Sequence, residues 1–206
     1  MQGEPSKKIR IAYIVTNLRN TGPINQTYNL IQHLDKNVFE IYVITLWPEN
    51  DGDSLLSKYE NSGARIIKGS FNKKSSLVFG RKYVTSCLRK IRPDIVQGVG
   101  MPLYRMALKY KEAVPFVVLR NYCYEDYPSH YGNIIGNLMA KADIKLIKKQ
   151  LGLGYPIITC SNSLVSIYYE KEGIRLDCIQ NGVDTSRFTK RDIEKKDICR
   201  EKLKSY

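Results

Sequence analysis

Short apolar runs alternate with amphipathic stretches from one end of the chain to the other, and the runs are apolar throughout rather than at every second position. The runs are IRIAYIV (9–15), FEIYVITLW (39–47), ARIIKG (64–69), PDIVQGVG (93–100), VPFVVL (114–119), YPIITCS (155–161) and RLDCIQNGVD (175–184). A strand apolar on both faces is buried on both faces, which an isolated hairpin or one-sided sheet cannot provide. The stretches between them carry helical signals. Pro23 stands at a helix start with Ile24, Tyr28, Ile31 and Leu34 at helical spacing, residues 75–92 read as a helix closed by Pro93, and 133–152 as a long one. The economical fold is an α/β domain: a Rossmann-like, doubly wound parallel sheet with helices on both faces. Ligands of such sheets sit at the carboxyl ends of the strands, so the loops there are the places to look for chemistry.

Composition bounds the function classes. The chain of 206 residues is 43% hydrophobic and 26% charged, in keeping with a globular domain. Its 33 Lys+Arg against 20 Asp+Glu give a formal net charge of +13, which calls for an anionic partner: nucleic acid, a phosphorylated ligand or an acidic membrane surface. Cys87, Cys123, Cys160, Cys178 and Cys199 are scattered and form no CxxC pair, which argues against a zinc site or disulfide framework and for a reducing compartment. No apolar run approaches the roughly 18 residues needed to span a bilayer, so any membrane contact is expected to be peripheral. No RNP-like aromatic pair, helix-turn-helix signature or zinc finger supports nucleic acid as the partner.

Three stretches carry candidate chemistry. In TNLRNTGPINQTY (16–28), Gly22 before a helix start lets backbone amides approach an anion, although it fits neither GxGxxG nor a Walker loop and equally serves as a plain turn. In RNYCYEDYPSHYG (120–132), read as a loop after the fifth strand, an arginine, an asparagine, four tyrosines, two acids and a histidine crowd together. Aromatic faces beside hydrogen-bonding groups suit a sugar ring, and Arg120 suits a phosphate or carboxylate. Asn121, Glu125, Asp126 and His130 are left as alternative catalytic candidates, and a surface loop pinned by tyrosines is the plainer reading. In the long helix, Lys141, Lys145 and Lys148, with Lys149 beside them, share one side, opposite an expected apolar stripe of Ile135, Leu138, Met139, Ala142 and Leu146. That face is either simply solvated or directed at anionic lipid headgroups. Arg81, Lys82, Arg89, Lys90 and Arg92 supply a second basic helix.

Taken in order, IRIAYIV with its Gly22 loop, RPDIVQGVG (92–100), PFVVL (115–119), IITCSNSL (157–164) and IQNGVDTSRF (179–188) resemble the N-terminal half of a GT-B glycosyltransferase of the retaining family 4, or group 1. RNYCYEDY…YG is similar to a subgroup that builds bacterial capsule, lipopolysaccharide and other surface glycans. The resemblance implies an acceptor-binding domain over 1–184, with 185–206 as the interdomain linker and the start of a donor-binding domain that is absent. In the family that second half binds the nucleotide-sugar and carries a spaced pair of glutamates, so the chain, a fragment or a truncated gene product, is expected to be inactive alone. Thr21, Gly22 and Pro23 are then the donor-phosphate loop, with Pro23 in place of the family's usual second glycine and one backbone N–H fewer. Arg120, Asn121, Tyr122, Tyr124, Glu125 and Asp126 are the implied acceptor-binding residues. Many relatives place a histidine just after the fifth strand, where this chain has Arg120 and Asn121.

The expected reaction is transfer of a sugar from a nucleotide-sugar co-substrate to a glycan or lipid-linked acceptor, with no cofactor and no metal, on the cytoplasmic side of a membrane. The alternative is a non-catalytic Rossmann-like module that binds a phosphorylated sugar or a partner protein. An exposed apolar patch around the last strand favours the first, and a closed polar surface the second.

Overall fold

The computed structural model describes residues 7–50, 52–100, 103–183 and 185. Seven strands form one sheet in the order β3-β2-β1-β4-β5-β6-β7, all pairs parallel. The strands are β1 (Ile9–Val15), β2 (Phe39–Thr45), β3 (Arg65–Ile67), β4 (Ile95–Gly98), β5 (Val114–Leu119), β6 (Ile157–Thr159) and β7 (Asp177–Cys178). The order reverses between β1 and β4, and that switch point opens a crevice at the carboxyl edge.

Two helices, α1 (Gly22–His33) and α2 (Leu56–Asn61), pack on one side of β1 and β2 around Tyr13, Ile31, Val43 and Tyr59. The other side receives α3 (Lys73–Ile91), α4 (Leu103–Lys109), α5 (Cys123–Tyr131), α6 (Asn133–Gly152) and α7 (Asn162–Glu172). Local chemistry sets several boundaries. Asn72 and Ser75 cap α3 reciprocally, and Ser161 caps α7 by accepting from the Leu164 amide. Thr21 is the N-cap of α1, with Pro23 in its first turn. At Gly98 a side chain is impossible: a Cβ would lie 2.2 Å from the Leu103 carbonyl carbon, because α4 starts directly on the end of β4.

The layers are uneven. Along β5, Pro115, Val117 and Leu119 are buried under α5, α6 and α7, whereas Phe116 and Val118 on the α1 side are only half-buried and Val114 is exposed. Three expectations are corrected here. Residues 123–131 form a helix, not a loop, because Cys123 and Tyr127, one turn apart, are both buried against α6. The buried stripe of α6 runs through Gly136, Ala140, Asp143, Ile144, Ile147 and Gln150, while Ile135, Leu138 and Ala142 are exposed. The last strand keeps only Asp177–Cys178 in the ladder. The linker and second-domain start assigned to 185–206 lie, apart from Thr185, outside the described residues.

Candidate functional site

Three hollows meet at the carboxyl edge, and Arg120, the first residue after β5, lines all of them. The first, about 460 Å³, has Pro23 and Gly100 on one wall and Asn121, Asp126, His130 and Tyr131 on the other. The second, about 470 Å³, lies on the α1 side of the sheet between His33, Phe116, Val118 and Ile158, and is closed by Ile179 to Val183. The third is a shallower hollow with Arg120, Asn121, Tyr122, Glu125 and Asp126 facing Ser161 and Ser163 at the start of α7.

Arg120 is half-buried and forms no ion pair among the described residues. Burial pulls its pKa below the usual arginine value, which expresses the cost of holding a guanidinium away from water. A guanidinium in that position has its donors open to an anionic group. Beside it, Asn121 Nδ2 donates to Asp126 Oδ1 at 2.8 Å, which leaves the other Asp126 oxygen facing outward. Asp126 and Glu125 sit in the first turn of α5, where the helix dipole favours negative charge.

His130 reaches the first cavity from the last turn of α5. Its Nδ1 lies 2.8 Å from the Asp126 carbonyl oxygen, which can only accept, so in the uncharged ring Nδ1 carries the proton and Nε2 keeps its lone pair. The Gly22 loop brings the opposite wall. A Cβ on Gly22 would meet nothing within 4 Å, so the glycine leaves open space above the α1 N-terminus. The Asn25 amide is already satisfied by the Thr21 carbonyl, and Pro23 has no N–H, so only Gly22 and Ile24 retain free amides at this helix start.

The remaining named residues divide. Tyr122 is buried and its hydroxyl donates to Glu172 at 2.6 Å, a structural tie across to α7. Glu125 pairs with Lys171 at 3.1 Å on the outer rim. Tyr124 turns away from the cavities and lines a groove with Ile134, Leu138 and Lys141. Lys141, Lys145, Lys148 and Lys149 are exposed on α6, remote from the crevice floor. Among the described residues no group of three or more His, Cys, Asp or Glu side chains is placed to hold a metal ion.

One cluster under the first cavity has no counterpart in the sequence reading. Asp143, fully buried in α6, accepts from the hydroxyls of Tyr104 and Tyr127 and from the Arg105 guanidinium; the two hydroxyls are 2.9 Å apart. Burial pushes the Asp143 carboxyl up, to about 7. The available signal was a single acid in a lysine-rich helix, which on an exposed face would be unremarkable.

The architecture matches the fold of the N-terminal half of GT-B glycosyltransferases, and sequence comparison agrees. Residues 22–187 match the family described as Glycosyltransferase Family 4, and the chain belongs to that family, whose members use nucleotide-sugar donors. A solved glycosyltransferase from Rickettsia africae superposes with a TM-score of 0.57 at 19% identity, over 96% of this chain and 50% of that one. An O-GlcNAc transferase mutant from Thermobaculum terrenum is a fainter likeness, with a TM-score of 0.41 at 13% identity over 91% of this chain and 47% of its own. The chain thus spans about half the length of the Rickettsia enzyme. No curated protein sequence matches it. No helix among the described residues is long and apolar enough to cross a membrane.

Proposed function

We propose that this domain is the acceptor-binding half of a retaining glycosyltransferase that moves a sugar from a nucleotide-sugar to a glycan or lipid-linked acceptor in surface-polysaccharide synthesis. It acts on the cytoplasmic side of the membrane and is inactive without a donor-binding half. The observation that carries the reading is Arg120: a half-buried cation without an ion-pair partner among the described residues, at the carboxyl end of β5, where the Gly22–Pro23 helix start, Asp126 and His130 converge. Arg120 takes an anionic group of the acceptor or the departing nucleotide phosphate. Asp126 and Asn121 hydrogen-bond sugar hydroxyls, and His130 Nε2 is available to accept a proton from the attacking hydroxyl. Thr21, Gly22 and Pro23 face the donor across the cleft.

Exposed Ile179 and Val183 beside β7 favour a partner half over a closed binding module. The domain boundary near Asp184 is part of the same proposal.

The test is calorimetric titration of the chain with polyprenyl-diphosphate-linked sugars and free glycans. Arg120→Ala is expected to weaken binding by roughly 10- to 100-fold, the worth of a hydrogen bond to a charged group. Arg120→Lys retains part of it, since it keeps the charge but loses the fork. Equal affinity in Arg120→Ala removes the arginine from the site and the reading with it.

A further inference from the structure

We infer that the hollow on the α1 side of β5 and β6 binds a nucleoside diphosphate, with the base beside Gln97 and Phe116 and the phosphates at Arg120. The topology leaves this part of the sheet bare. β4, β5, β6 and β7 follow one another in spatial order, so right-handed crossovers put their connecting helices together on the other side. α1 and α2 pack on β1 and β2, and Phe116 and Val118 stay half-buried. What remains is a hollow of about 470 Å³, apolar along its floor and polar at its rim, as small-ligand sites are.

A bare apolar face alone names no ligand; Gln97 does. It is only 6% exposed and lies on the α1 side of β4, as Ile95 and Val99 do. Its carboxamide makes no hydrogen bond among the described residues, yet it lines the hollow rather than being sealed in the core. Buried amides left idle are costly, so this one calls for a ligand that presents a donor and an acceptor side by side. The edge of a nucleobase does so. The β4–β5 register sets Phe116 directly beside Gln97, which gives the ring of the base an aromatic neighbour.

The other end of the hollow is cationic. Val118, paired with Ile158, is two residues further along β5, and Arg120 is two beyond that, roughly 13 Å from the level of Phe116. The floor therefore runs from an amide and a phenyl ring, across aliphatic side chains, to a guanidinium. Asn29, Gln32, His33, Gln180 and Asn181 rim it, and no carboxylate lines it among the described residues. Neutral amides and an imidazole suit ribose hydroxyls, and the guanidinium suits phosphate.

A base, a pentose and two phosphates present these groups in that order and over that length. A prenyl or acyl chain would leave the Gln97 amide without a partner, and a single hexose is too short to reach both ends. The site stands on the chemistry of the hollow alone. Its consequence rests on the glycosyltransferase reading: the nucleotide left after transfer is retained on this half, where it competes with the acceptor for Arg120.

The experiment is calorimetric titration of the full chain with uridine diphosphate, adenosine diphosphate, pyrophosphate and decyl phosphate, alongside proton–nitrogen correlation spectra of the side-chain amides. At least one nucleoside diphosphate is expected to bind tenfold or more tightly than pyrophosphate and to shift the Gln97 carboxamide signal. Gln97→Leu is expected to weaken it roughly tenfold, and Phe116→Ala by roughly ten- to a hundredfold through lost stacking. Gln97→Leu removes an unpaired buried amide and is expected to stay folded, which circular dichroism checks for both variants. Absent nucleotide binding overturns the inference. So does equal affinity for pyrophosphate, which leaves a phosphate contact only. Tighter binding of decyl phosphate that improves in Gln97→Leu overturns it in favour of an apolar chain. Neither Gln97 nor Phe116 lines the first cavity, so both variants are expected to bind free glycans as the wild type does, and failure here leaves the Arg120 reading standing.

Discussion

Asp143→Ala is expected to destabilise the domain by about 3–5 kcal/mol, the usual consequence of removing one partner from a buried charged pair. For a domain of this size, that lowers the unfolding midpoint by roughly 10 °C. The substitution takes the shared acceptor from the half-buried Arg105 guanidinium and leaves the two buried tyrosine hydroxyls only each other as partner. Asp143→Leu/Arg105→Met removes both charges and is expected to recover much of the loss, because the penalty lies in the orphaned groups more than in the pair. Urea unfolding of the three proteins distinguishes this from a simple cavity effect, in which the double substitution is no better than the single one.

The same carboxyl gives a pH dependence with a definite sign. Burial pushes the Asp143 carboxyl up to about 7. A folded pKa above the unfolded value of about 4 means that the folded state holds the proton more tightly. Its contribution to stability is therefore fully present below about pH 4 and is lost as the pH rises through about 7. Asp143→Asn cannot titrate, so unfolding midpoints measured from pH 4 to 8 are expected to lose that downward slope. A slope unchanged in Asp143→Asn assigns it to another group.

Much of the fold was legible because its strongest physical requirement is written in one-dimensional form: strands buried on both faces have to be continuously apolar. Ile11 through Val15 show it directly, and Val43 through Leu46 do so with Thr45 as the one polar member. The α5 helix was not legible for an equally definite reason. Pro128 and Gly132 punctuate the stretch, and tyrosines have little intrinsic preference for a helix, so local signals oppose what burial of Cys123 and Tyr127 imposes. The α6 face was misassigned by about one residue of rotation because hydrophobicity does not rank its true core positions. Gly136 and Ala140 are there to let α5 come close, and Asp143 is there because three donors meet it. The Gly22 loop and the 120–132 stretch were singled out by their positions after strands, and Pro23, Arg120, Asn121, Asp126 and His130 line one cavity. The orientation of Tyr124 and the tie of Tyr122 to Glu172 depend on helical phase and on α7, and neither is encoded in the spacing of the stretch itself.

Gly136→Ala tests that helix crossing through the sign of its effect. In the interior of an unconstrained helix, replacing glycine by alanine stabilises by about 1 kcal/mol. At Gly136 the added Cβ would lie 2.4 Å from the Pro128 nitrogen, 2.5 Å from its Cα and 2.6 Å from the Tyr127 carbonyl carbon. All three are backbone atoms, so no rotamer change relieves the clash and α5 itself has to move. The expected result is a net loss of about 2–3 kcal/mol, with overpacking outweighing the propensity gain. Tyr127 moves with the α5 backbone, so its hydroxyl is drawn off Asp143 and the wall formed by Asp126 and His130 shifts. The acceptor binding proposed for that wall is therefore expected to fall together with stability. Gly152, at the other end of the same helix, has open space where its Cβ would stand, and Gly152→Ala is expected to be neutral or slightly stabilising. Chemical denaturation of both variants, with fitted slopes compared to confirm a common unfolding transition, reads the difference directly. If Gly136→Ala gains stability as Gly152→Ala does, α5 does not approach α6 closely enough to hold the crevice wall in place.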